Sequence, residues 1–231
     1  VDLRSGFFAD DALEKNIDNL YIIIFTTDEV YKYDVTSSGV SGENGGSWNK
    51  EDGEILLGLT QDKVGANCAV YVFANVDNVR SALGGVNDPD DLESIFIGNN
   101  EPWSDNFSSP LLMSGYKIEH NFITHPVLDK IEMERAVAKL QIDIELTEQY
   151  QSTVVDEYQY RLRNFDKNTY VIKPEEKTNS LVYQADFAAI SGIIEFVKSG
   201  TTVTGLKLTT YLNERDVATN DNITLDLILP Y

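Results

Sequence analysis

Alternation of apolar and polar side chains with a period of two limits this chain more tightly than any other feature of its sequence. Tyr31, Tyr33 and Val35 alternate with Lys32 and Asp34, and Tyr158, Tyr160 and Leu162 with Gln159, Arg161 and Arg163. Successive side chains of a β-strand point to opposite faces, so the pattern puts one face in a core and the other in water. Leu20-Tyr21-Ile22-Ile23-Ile24-Phe25 has no polar position, which marks a strand buried on both faces. The pattern points to an all-β chain.

The remaining segments fit that class. Ser37 to Gly53 is rich in Gly, Ser and Asn and reads as a long, mobile, exposed loop before Glu54-Ile55-Leu56-Leu57-Gly58-Leu59 resumes the sheet. Asn67 to Asn75 reads as a buried strand, and Cys68 within it as a small core residue rather than a nucleophile. Asp88-Pro89-Asp90-Asp91-Leu92-Glu93 has a cap, a first-turn proline and acidic residues where a helix dipole favours them, so a short helix is expected through Phe96. Asn99 to Ser109 is polar and turn-rich, and Pro110 to Tyr116 is apolar again. From Ile131 to Leu146 the apolar positions begin odd (Ile131, Met133, Val137) and finish even (Leu140, Ile142, Ile144, Leu146), which a single strand with one bulge near Ala138-Lys139 reconciles. A helix over Glu132 to Leu140 competes on propensity, but the strict alternation after it favours strand. Further strands are expected around Tyr170-Val171-Ile172, Leu181-Val182-Tyr183, Ile193 to Val197, Val203 to Tyr211 and Ile223 to Leu229. Short strands every ten residues or so predict two antiparallel β-sandwich domains with short helices in the connections, over residues 1–148 and 149–231.

Composition removes several functions. With 38 acidic against 18 basic residues the net charge is −20, which repels phosphate backbones and anionic lipid heads, so neither nucleic acid nor a membrane surface is an expected partner. No run approaches the roughly 18 consecutive apolar residues of a spanning helix. The single Cys68 forms no internal bridge, which leaves a secreted origin open for a domain of this size. His120 and His125 lack a third ligand and a nucleophile turn, and read as surface residues. Asp88, Asp90 and Asp91 lack the spacing of a calcium loop and suit capping better. A carboxylate pair of glycosidase type is inevitable among 38 acidic residues and proves nothing. No catalytic residue, cofactor or metal is expected. Trp48 and Trp103 are candidates for an exposed ligand-binding platform, with a fold back over the core as the alternative.

Glu134-Arg135-Ala136-Val137-Ala138-Lys139-Leu140-Gln141-Ile142 resembles the Arg-x-Val-Ala-Lys-hydrophobic strand that closes the N-terminal domain in the fimbrillins, the type V pilins of Bacteroidales. Asn16 to Phe25 is similar to that family's first long strand, Ala69-Val70-Tyr71-Val72-Phe73-Ala74-Asn75 to its valine-aromatic-alanine-asparagine strand, and Leu111-Leu112-Met113-Ser114-Gly115 to its proline-methionine-serine-glycine segment. Tyr211-Leu212-Asn213-Glu214-Arg215 resembles its tyrosine-x-proline-glutamate-asparagine turn more loosely, and Ile223 to Tyr231 the strand after it. Family members usually continue with another strand and a C-terminal extension, so the C-terminal domain is expected to be truncated or built differently.

The resemblance implies two transthyretin-like β-sandwich domains in a structural subunit of a cell-surface fimbria. It implies export to the outer membrane as a lipoprotein precursor, cleavage after Arg4 and before Ser5, polymerisation by donor-strand exchange with other fimbrial subunits, and support of adhesion. Leu20, Ile22, Ile24, Leu140, Ile142 and Ile144 are then candidates for the core or the donor-strand groove of the N-terminal sandwich. The alternative is a tip-located or monomeric surface adhesin whose loops bind host protein or glycan. A secreted glycoside-active enzyme or carbohydrate-binding module is a third, more distant reading.

Overall fold

The run from Leu20 to Phe25 becomes the centre of the first sheet, and every one of its side chains is buried. The computed structural model describes residues 15–98, 110–128, 130–175, 177, 179–183, 186–191, 193–215 and 222–231, and these divide into two units. The first holds 15–97, 110–136 and 170–175; the second holds 137–169 and almost all that follows 175.

The strands of the first unit are β1 (Leu20–Phe25), β2 (Val30–Thr36), β3 (Gly39–Ser41), β4 (Gly46–Asn49), β5 (Glu54–Leu57), β6 (Cys68–Ala74), β7 (Phe96–Gly98, at its end), β8 (Met113–His120) and β9 (Glu134–Arg135). Six of them form one antiparallel sheet in the order β3-β2-β1-β6-β8-β9. Tyr21, Ile23 and Phe25 leave one face of β1 with Phe73 and meet Leu83 of helix α2 (Arg80–Gly85, after α1 at Gln61–Val64), Leu92, Ile95 and Val171. Leu20, Ile22 and Ile24 leave the other face with Tyr31, Tyr33, Val35 and Val70. There Trp48, Ile55 and Leu57 of the β4–β5 hairpin, with Leu128, Ile131 and Met133, cover them. With core on both faces, a polar residue anywhere in β1 would be buried, which is why the run has none.

Two expectations change here. Ser37 to Gly53 is not one loop, because β3 pairs with β2 and β4 with β5 inside it. The helix after Asp88 is a 3-10 helix, Pro89–Ser94, and Phe96 already begins β7. Its N-terminus is closed reciprocally: the Asp90 N–H donates to the Asp88 carboxylate at 3.0 Å, and the Asp88 N–H to the Asp91 carboxylate at 3.0 Å.

The second unit contains β10 (Val137–Glu145), β11 (Gln159–Asp166), β12 (Asn168–Tyr170, all but its last residue), β13 (Leu181–Tyr183), β14 (Ala188–Ala189), β15 (Ile194–Ser199), β16 (Thr202–Asn213) and β17 (Thr224–Ile228). One sheet runs β10-β16-β15, and in the other β13, β14 and β17 all pair with β11. Tyr158, Tyr160, Val203, Leu206 and Leu208 fill the core. The buried Tyr158 turns its hydroxyl back on the chain, donating to the Tyr150 carbonyl and accepting from the Ser152 N–H, both at 2.8 Å.

The segment from Ile131 to Leu146 is therefore not a single bulged strand of the N-terminal domain. It breaks at Ala136: β9 pairs with β8 in the first unit, whereas β10 pairs with β16 along its whole length in the second. The division expected between residues 148 and 149 falls between Ala136 and Val137.

Candidate functional site

Three of the quoted motif segments meet at one side chain. Asn75, with φ of 61°, ends β6 in the left-handed region, where asparagine is among the few tolerated residues. Its Oδ1 accepts from the Asp18 N–H at 2.9 Å, and its Nδ2 donates to the carbonyls of Asn16 at 2.9 Å and Leu111 at 2.7 Å. Asn19 mirrors it, accepting the Val76 N–H at 2.9 Å. The asparagines are thus clasps that hold the start of β1, the end of β6 and the approach to β8 together.

Leu20, Ile22 and Ile24 lie in the closed core of the first unit, under the β4–β5 hairpin, and β1 is paired on both edges. Among the described residues they line no open groove. Leu140, Ile142 and Ile144 lie elsewhere: they sit on β10 and face the core of the second unit. Their neighbours across the ladder, Leu206 opposite Ile144 and Leu208 opposite Ile142, are 0% exposed, while the β10 side chains are only half-buried. Among the described residues β10 has one ladder partner, β16, so its other edge is unpaired. A nine-residue edge strand with half-covered apolar side chains is what an added strand would complete, both by hydrogen bonding and by burial. The β17 strand also pairs with β11 alone among the described residues, and Leu225 and Leu227 on it are half-buried.

Trp48 packs against the core of the first unit and is half-buried, with Lys50 Nζ 5.8 Å from its ring. This is the folded-back alternative rather than an exposed platform. Trp103 and Arg4 lie outside the described residues. Cys68 is buried, donates to the Val64 carbonyl, and has its thiol pushed up by burial, as a packing residue would. His120 ends β8 and its Nε2 lies 2.9 Å from the carbonyl of His125, in an exposed turn. Among the described residues no cluster of His, Cys, Asp or Glu is placed to hold a metal.

On the outer face of the second unit, Asp226 of β17 accepts from Arg161 Nη2 at 2.8 Å and Arg163 Nη2 at 3.0 Å, both on β11. The Arg161 hydrogen bond, opposed by burial and reinforced by Arg163, holds the Asp226 carboxyl below its ordinary range.

This architecture is that of the β-sandwich fimbrial proteins. The solved structure of the tip fimbrial protein Mfa3 from Porphyromonas gingivalis, with C-terminal truncation, matches with a TM-score of 0.55 at 14% identity, over 94% of this chain and 74% of that one. A protein put forward as an adhesin from Bacteroides thetaiotaomicron matches with a TM-score of 0.51 at 11% identity, over 94% of this chain and 70% of its own. The family described as "Minor fimbrium tip subunit MfA4, C-terminal" matches residues 136–231, a span that opens one residue before Val137 of the second unit. The minor fimbrium tip subunit MfA4 of Porphyromonas gingivalis is 34% identical over 247 residues, covering 95% of this chain and 72% of that protein. The chain belongs to the family of that tip subunit and is a fimbrial subunit of the cell surface.

Proposed function

We propose that this chain is a tip subunit of a minor fimbrium, joined to other fimbrial subunits by strand addition at the open edge of β10. The observation that carries the reading is the edge of Val137–Glu145 that has no ladder partner among the described residues, beside half-buried Leu140, Ile142 and Ile144. An incoming strand would pair with the backbone groups of that edge and would close the apolar row over Leu206 and Leu208. The name of its relative supports the tip position. In the same reading the exported lipoprotein precursor is cleaved after Arg4, and host protein or glycan is bound through loops. The acidic exterior, with a net charge of −20, would oppose random pairing between copies.

Hydrogen exchange on the chain alone and after mixing with the other subunits of a minor fimbrium tests the reading. Amides on the free edge of β10 should exchange fast in the isolated chain and become protected in the assembly, while those of β1 stay protected throughout. Stable assembly without new protection in β10 would overturn it.

A further inference from the structure

The second unit seals a lysine and an aspartate against each other. The side chains of Lys177 and Asp166 are 1% and 0% exposed, and Nζ lies 2.9 Å from Oδ2. The Asn168 N–H donates to Oδ1 at 2.8 Å and the Ser180 N–H to Oδ2 at 3.2 Å, so each carboxyl oxygen has its own backbone donor. Asn213 fixes the backbone beneath: its Nδ2 donates to the Asp166 carbonyl at 2.8 Å, and its Oδ1 accepts from Thr169 Oγ1 at 2.6 Å. Lys177 Nζ also donates to the Glu214 carbonyl. Asp166, Asn168, Thr169, Lys177 and Asn213 are all buried, so the cluster excludes bulk water.

Two charges removed from water cost more than their attraction easily returns. An amine held by a hydrogen bond against a carboxyl group, in a dry site, also has the proximity that turns a slow bimolecular condensation into a fast internal one. We propose that Lys177 and Asp166 condense to an intramolecular amide cross-link between Nζ and Cγ.

The groups around the pair match each step. The ammonium passes one proton to Oδ2 along their hydrogen bond, leaving a neutral amine and a carboxylic acid. The Nζ lone pair attacks Cγ, and the negative charge that develops on Oδ1 is held by the Asn168 N–H. Oδ2 takes a second proton from the nitrogen and departs as water. One C–N bond forms, one C–O bond breaks, and no oxidant or reductant takes part. Both hydrogen-bonding groups of the new amide already have partners: Oδ1 keeps the Asn168 N–H, and the remaining Nζ–H faces the Glu214 carbonyl. The product exchanges a buried ion pair for a neutral, satisfied amide, and the enclosure that promotes its formation also shields it from hydrolysis.

Intact mass of the purified 231-residue chain, unfolded in denaturant before measurement, decides the matter. The expected mass is that of the sequence less one water, and a peptide map should yield one branched peptide joining Asp166 to Lys177. The Lys177→Arg variant keeps the charge but should return the full mass. An unmodified chain at the full sequence mass would overturn the proposal. So would a water loss that maps to another site, such as a succinimide at Asp52-Gly53, or that persists in Lys177→Arg.

Discussion

Asn75 shows how much of the first unit hangs on single polar side chains. Its amide satisfies three backbone groups on two other segments while the residue sits at positive φ. Asn75→Ala would strand those groups and force alanine into a conformation asparagine tolerates better, so a loss of about 3 kcal/mol is expected, read from the denaturant midpoint at unchanged slope. The Asp226 carboxyl acts at the same scale in the second unit. Its value in the folded chain lies below the ordinary 3.8, chiefly through the Arg161 hydrogen bond. A carboxyl so depressed adds stability that is complete above its unfolded value and fades as pH falls through its folded one. Wild-type stability should therefore fall faster below pH 3.8 than that of Asp226→Asn, with the two curves converging in strong acid, as followed by circular dichroism against pH. The asparagines were visible in the sequence as motif positions, but the reason for them was not. A hydrogen bond between residues 57 apart, such as Asp18 to Asn75, leaves no local pattern to read.

At the scale of elements the strands were legible, because alternation reports which side chains share a face. It does not report which strand lies alongside. The offset between Met133 and Leu140 looks the same whether one strand bulges or two strands belong to different sheets, and the second case holds. The stretch from Ser37 to Gly53 hid β3 and β4 for another reason: their small polar residues have weak strand propensity, and pairing with β2 and β5 supplies what propensity lacks. Close approach sets the pairing of β10. A Cβ on Gly205 would stand 2.6 Å from the Ile144 carbonyl oxygen, so only glycine lets β16 meet β10 there. Gly205→Val should cost about 3 kcal/mol and raise exchange of β10 amides bonded to β16, with β1 unchanged, as resolved by hydrogen-exchange mass spectrometry.

At the scale of the whole molecule two properties matter, a net charge of −20 and a strand edge that is unpaired among the described residues. The edge invites pairing with any extended chain, and the charge opposes it between identical copies until salt screens it over about 10 Å at 0.1 M. Self-association of the isolated chain, followed by sedimentation velocity, should be negligible at low ionic strength and rise with added salt; the opposite trend would mean that attraction between charges, not the open edge, drives contact. The sequence by itself determined the all-β class, most strand positions, the packing role of Cys68 and the acidic exterior, since each follows from side-chain type and spacing along a short stretch. Only the tertiary structure decided that Val137–Glu145 leaves the first unit for the second, that Leu20, Ile22 and Ile24 are closed core while Leu140, Ile142 and Ile144 border an open edge, and that Asp166 meets Lys177. Those outcomes rest on hydrogen-bond partners and burial contributed by residues distant in the chain, and no local period encodes them.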